Sequence, residues 1–149
     1  MIHKMVTAAI FVFVAVSISS LAFAQADAIE KRQKLMKSNS AAVKAIKGAL
    51  EGKDYATVET KAKEIMGNAE KTAELFPKGS HTGKTKASPA IWEKADEFAK
   101  AAKKLASASG ELASAAKAKD DTAVGVKFKA VGEACSSCHK AFRTEKYAE

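Results

Sequence analysis

Residues 122–142 read TAVGVKFKAVGEACSSCHKAF. Within them Val124, Phe128, Val131, Cys135, Cys138 and Phe142 recur at alternating intervals of four and three, the spacing of one buried stripe on an α-helix. The stripe runs into Cys135-Ser136-Ser137-Cys138-His139. Two thiols three apart on a helix point to nearly the same side, and the next residue sets an imidazole beside them. Cys-x-x-Cys-His is the attachment signature of a c-type haem, in which each thiol makes a thioether to the macrocycle and the histidine binds the iron. The thiols lie on the core face, so the macrocycle is expected inside the fold.

Other readings of the two cysteines fit less well. A thioredoxin-type dithiol needs a βαβ setting, and no strand pattern occurs. A structural zinc site needs four ligands, whereas the chain has two cysteines and only His3 and His81 besides His139. A disulfide between residues three apart closes a loop too small to restrain the unfolded chain much.

At 149 residues the chain is sized for one domain. Lys4 precedes an uncharged, mostly apolar run, residues 5–23, that leads into Ala22-Phe23-Ala24. This is the pattern of a secretory signal peptide, residues 1–24, cut before Gln25 to leave residues 25–149 as the mature domain. An uncleaved anchor of that length would also span a bilayer, but Thr7, Ser17, Ser19 and Ser20 dilute the run. Export suits covalent haem attachment, so the expected compartment is the periplasm, with no membrane contact after cleavage. The mature part holds 24 of the 25 basic residues and all 17 acidic ones, a formal charge of +7. Two haem propionates lower that by about two. Its lysines spread along helix faces with few interleaved aromatics, which argues against nucleic acid and for an acidic redox protein partner.

Four helical stretches are predicted. The first, residues 27–50, carries Ile29, Met36, Val43 and Leu50 at heptad spacing, flanked by Leu35, Ala42, Ile46 and Ala49. Arg32 and Asn39 interrupt this stripe one turn either side of Met36. A charge on a core face is costly unless paired. Arg32 is therefore expected to snorkel from the helix end or, preferred once a haem is present, to meet a propionate. Asp54 is the expected N-cap of the second helix, whose seam runs through Tyr55, Val58, Ala62, Ile65, Ala69, Thr72 and Phe76 until Pro77 stops it. Residues 77–88 form the longest loop, with His81 exposed in it. Ser88-Pro89 opens the third helix as N-cap and first-turn proline. Ile91, Ala95, Phe98, Ala102, Leu105, Ser109, Leu112 and Ala116 follow, with Trp92 at the haem edge or simply half-buried. Asp121 is the expected N-cap of the fourth helix, residues 122–147, on which Arg143 lies one turn beyond His139. Four amphipathic helices with short connections predict an all-α fold, an antiparallel up-down-up-down four-helix bundle with the haem near the C-terminal helix.

In that topology the start of the first helix and the end of the fourth share one end of the bundle. Met36 and His139 are then level, about 14 Å and about 12 Å from that end. Met66, about 15 Å from the matching end of the second helix, is level too. Met36 occupies its seam, and in a square bundle the first helix neighbours the fourth, which favours Met36 without excluding Met66.

The C-terminal motif, the four-helix pattern, the segment from Arg32 to Met36 and the Pro89-Ala90-Ile91-Trp92 entry resemble the class II cytochromes c, the cytochrome c-prime family. So does the phrase Cys135-Ser136-Ser137-Cys138-His139-Lys140-Ala141-Phe142-Arg143. The resemblance covers essentially the whole mature chain, and cytochrome c-prime is itself a reference example of the up-down-up-down bundle. It implies one covalent haem c. The family has two branches. In the high-spin branch an apolar residue, often leucine, shields the distal face, and the five-coordinate iron binds nitric oxide or carbon monoxide. In the low-spin branch a methionine occupies that position, four residues after a basic or polar one. Lys34-Leu35-Met36-Lys37 after Arg32 looks like the low-spin branch. That likeness implies Met36 as sixth ligand, with Arg32, Leu35, Asn39, Trp92, Phe142 and Arg143 as haem-pocket candidates. Phe142 stands where the family often has tyrosine.

The expected function is periplasmic electron transfer through a six-coordinate low-spin haem, its potential raised by Met/His ligation. The alternative is a five-coordinate, cytochrome c-prime-like protein that binds nitric oxide or carbon monoxide. No acid/base pair or activated nucleophile is present in the sequence, so an enzyme is not expected. The family further suggests a homodimer through the first helices.

Overall fold

The computed structural model describes residues 2–146, with side chains from residue 23 onward. Its α-helices are α1 (Ile2–Glu51), α2 (Tyr55–Lys71), α3 (Ala90–Glu93), α4 (Ala95–Lys117) and α5 (Asp121–Phe142). A 3-10 turn, Ala73–Leu75, prolongs α2. Among the described residues the only extended pairing is one antiparallel bridge between Ala87 and Arg143. The fold is the expected all-α four-helix bundle, built from α1, α2, α4 and α5.

Two turns of nearly the same design set the hairpins. At the end of α1 the Lys53 N–H donates to Leu50 O and the Asp54 N–H to Ala49 O. At the end of α4 Lys119 and Asp120 repeat this on Ala116 O and Ala115 O. Both lysines sit in the left-handed region, at φ 53° and 55°. Each turn therefore satisfies two orphan carbonyls and reverses the chain. The following aspartate then caps the next helix, Asp54 accepting from the Thr57 N–H and Asp120 from the Ala123 N–H. Asp120 thus takes the capping role expected of Asp121, which instead lies in the first turn of α5 and binds Lys53 and Tyr55.

Three other expectations need correction. α1 begins at Ile2 rather than near residue 27; the side chains of the expected signal peptide before residue 23 lie outside the described residues. Among the described residues no helix is long and apolar enough to cross a membrane. The third helix is split, because Lys94 at φ −124° and ψ 49° leaves the helical region between α3 and α4. The fourth ends at Phe142, where Arg143 turns extended to bridge Ala87, and its expected last residue, Tyr147, lies outside the described residues.

The main core joins Ala42 and Ile46 of α1 to Val58, Ala62 and Ile65 of α2, Leu112 and Ala116 of α4, and Val124 and Val131 of α5. Here the phase of α1 differs from the heptad reading. Ile29, Met36, Val43 and Leu50 are only half-buried, whereas Arg32, Asn39, Ala42 and Ile46 lie innermost. Asn39 is tolerated there because Asn68 of α2 donates its amide to it at 2.8 Å. Side-by-side contact links α1 to α2, α2 to α4 and α4 to α5. The ring does not close: among the described residues no Cα of α1 comes within 8 Å of a Cα of α5. The square bundle expected from sequence is splayed along this one seam.

Candidate haem-binding site

The open seam holds a cavity of about 430 Å³, within the range usual for ligand sites. α1 supplies one wall with Arg32, Gln33, Met36 and Lys37, and α5 the other with Cys138, His139, Phe142 and Arg143. Phe76, Ile91 and Phe98 form the apolar interior, with the rings of Phe76 and Phe98 4.9 Å apart and those of Phe98 and Phe142 5.2 Å apart.

Both thiols are free and half-buried on α5. Cys135 packs against the main core, and Cys138 against the smaller cluster of Ile91, Phe98 and Phe142. Burial raises the pKa of both, and Cys135 adds to the shift of Cys138. His139 lies at the exposed rim of the cavity. Desolvation, then the charge of Arg143, lowers its pKa below the ordinary imidazole value. A neutral imidazole is the form that offers a nitrogen lone pair to a metal.

Arg32 neither snorkels nor stands free. It is 3% exposed, and its guanidinium donates to Ser80 O at 2.6 Å, Ser80 Oγ and Thr85 Oγ1 at 2.7 Å, and Leu75 O at 3.5 Å. It also lies 4.5 Å over the Phe76 ring. Every one of these partners is neutral, and burial lowers the pKa of Arg32 to about 10. The fork fastens the loop between α2 and α3 across the end of the cavity. In that loop, expected only as the longest one, Ser80 and Thr85 are buried and Thr85, Lys86 and Ala87 line the cavity. Ser88 N–H to Phe142 O and Thr144 N–H to Lys86 O stitch its other side to the end of α5. The sequence signal for this was Ser80 and Thr85, short polar side chains in a loop long enough to fold back.

The remaining candidates divide. Phe142 is buried on the cavity wall and Arg143 is exposed at its rim. Leu35, Asn39 and Trp92 are not among the cavity-lining residues. Asn39 turns to Asn68, and Trp92 donates its indole N–H to Phe76 O and Pro77 O. Met66 points elsewhere: its sulfur would lie 3.2 Å from a Cβ on Gly110 of α4.

A flat apolar macrocycle bearing two carboxylates suits such a cavity, which has aromatic walls, cationic side chains at its margins and Cys138 and His139 along one side, while Cys135, one turn earlier, packs against the main core and is not among the lining residues. Residues 27–143 match the family described as Cytochrome C′. The chain belongs to the cytochrome c′ family. A cytochrome c′ of Rhodospirillum rubrum is 36% identical over 121 residues, covering 78% of this chain and 82% of that protein. A cytochrome c-556 of Agrobacterium fabrum is 36% identical over 122 residues, covering 79% and 82%. A solved cytochrome c′, described as having an unusual ligand-controlled dimer dissociation, has a TM-score of 0.76 at 29% identity and covers 81% of this chain and 97% of that one. As a cytochrome c′ the protein is a covalent c-type haem protein of the electron-transport class.

These matches overturn one expectation. A six-coordinate, low-spin electron carrier closed by Met36 is the expectation from sequence, but the matching family and the relatives named cytochrome c′ support the alternative, a five-coordinate haem protein, instead. Met36 is half-buried on the wall that α1 supplies, and α1 stands off from α5, as a group seated between them requires.

Proposed function

We propose that the chain is a periplasmic cytochrome c′ that holds one haem through Cys135 and Cys138. His139 would bind its iron, and the bound haem would take up nitric oxide or carbon monoxide. The observation that carries this reading is the match of residues 27–143 to the cytochrome c′ family, supported by a cavity between α1 and α5 that Cys138 and His139 line. When bound, the haem supplies an iron that takes a diatomic gas at its open position, under the control of the distal pocket.

The chain's own residues do the rest. α5 presents Cys138 and His139 from successive positions, with Cys135 one turn earlier. Met36, Ile91 and Phe98 give the cavity apolar surface that disfavours water and suits a small neutral ligand. Arg32 brings a buried charge whose partners are all neutral, and this supports it as the partner of a propionate. The positive charge of the chain supports an acidic redox partner. The solved relative with ligand-controlled dimer dissociation supports a homodimer here. We read the protein as a gas-binding haem protein with redox activity rather than an enzyme.

Carbon monoxide titrated into the reduced protein should shift the Soret band and saturate at one ligand per chain. A spectrum indifferent to both carbon monoxide and nitric oxide would overturn this reading.

A further inference from the structure

α1 packs against α2 but not against α5, so the two walls of the cavity are joined only through the loop between α2 and α3. On the α1 side, Arg32 Nη2 donates to Thr85 Oγ1 at 2.7 Å and Gln33 Nε2 to Lys84 O at 2.7 Å. On the α5 side, the Thr144 N–H donates to Lys86 O at 2.9 Å, the Ser88 N–H donates to Phe142 O at 3.0 Å, and Ala87 bridges Arg143. Residues 84–88 therefore form a strap across the open seam. Thr85 and Ser88 are three peptide units apart, at most about 11 Å of chain, which limits how far this end of the seam can open.

Thr85 keys the crossing. It is 3% exposed, and the Oγ1 that takes the Arg32 bond also accepts from the Ala87 N–H at 3.2 Å. One oxygen thus serves both the guanidinium of α1 and the residue that pairs with α5. Each side leads on to the cavity. Met36 stands one turn after Arg32 on α1, and the Arg143 N–H donates to His139 O at 3.1 Å. The Gln33 bond is exposed, where water competes for it, whereas the Arg32–Thr85 bond is buried.

We propose that Thr85 is a positioning residue for ligand entry, its hydroxyl holding the Met36 wall at a fixed distance from the His139 wall. The inference rests on the gas-binding reading. With a haem seated between the walls, α1 has room only outward once the tie is cut, so loss of the hydroxyl widens the way in.

Variants of the holoprotein test this. Thr85→Val keeps the shape and loses the acceptor, and Thr85→Ser restores the acceptor. Thr144→Pro, at an exposed residue, deletes the N–H at the other end of the strap. Asp54→Ala removes the cap of α2 at the far end of the bundle and supplies destabilisation alone. Flash photolysis of the carbon monoxide complex should show association several-fold faster in Thr85→Val and Thr144→Pro, and at the parental rate in Thr85→Ser and Asp54→Ala. Hydrogen exchange read by mass spectrometry, which needs no gas, should speed several-fold in both residues 27–36 and residues 142–144 of Thr85→Val, and in neither of Thr85→Ser. Parental association in Thr85→Val or Thr144→Pro, or an equal acceleration in Asp54→Ala, would overturn the positioning role. Faster exchange confined to the loop would overturn the strap itself. A parent that takes up no carbon monoxide would defeat the gas-binding reading and ligand entry with it, while the exchange result still decides the strap.

Discussion

Arg32 holds its charge at 3% exposure with only neutral oxygens for partners, and burial lowers its pKa to about 10. The hydrogen bonds to Ser80 and Thr85 offset part of that desolvation. Truncating it strands those acceptors, so Arg32→Ala should cost about 1–3 kcal/mol, measured as a lower Tm of the holoprotein. Arg32→Lys should recover only part, because an ammonium cannot span the fork. Arg32→Ala should also lower the reduction potential by removing a positive charge from the cavity wall, which protein-film voltammetry would show; an unchanged potential would separate Arg32 from the haem. Met36 makes a different prediction. Met36→Leu conserves volume and should leave the ferric spectrum unaltered, whereas Met36→Ala should speed carbon monoxide association in flash photolysis by clearing the wall. A spin-state change in Met36→Leu would put its sulfur on the iron. Sequence alone identified Arg32 as anomalous but offered no way to see its partners, which lie about fifty positions further along the chain.

Among the elements, α2 and α5 were the most legible. Val58, Ala62, Ile65 and Ala69 are buried as their spacing required, as are Val124, Val131 and Phe142. α1 was legible as a helix but not in phase. Its large apolar residues suggested one buried row, while Arg32 and Asn39, each with a specific partner, occupy the buried row instead. Lys94 carries no breaker signature, so the interruption before α4 was not visible; it accompanies a first turn whose Trp92 is tied to the loop carbonyls. The junction of α1, α2 and α5 offers a pH test. The hydrogen bond from Lys53, then that from Tyr55, lowers the pKa of Asp121 below its ordinary 3.8. The unfolded chain then binds that proton more tightly, so the contribution is present above 3.8 and fades as the pH falls through the lowered folded value. Asp121→Asn should therefore be less stable than the parent at neutral pH. Urea melts across a pH series should show the two converging on the acid side of that window. A gap that persists at acid pH would mean the loss arises from something other than ionisation.

In the whole molecule, three of the four bundle edges close and the fourth is held apart, with Cys138 and His139 of α5 facing Met36 of α1 across the cavity. The bundle and the attachment motif could be read from helical periodicity and five consecutive residues. The splay could not, because it depends on how far two helices stand off around a group that the polypeptide does not contain. The expectation of Met36 on the iron came from the likeness of Lys34-Leu35-Met36-Lys37 after Arg32 to the low-spin branch, since level heights along two helices left the ligand open. The account now rests on an open distal face. Electron paramagnetic resonance of the purified ferric holoprotein at neutral pH tests this most directly. The account predicts a high-spin spectrum from a five-coordinate iron. A low-spin spectrum, with both axial positions filled in the resting protein, would contradict it.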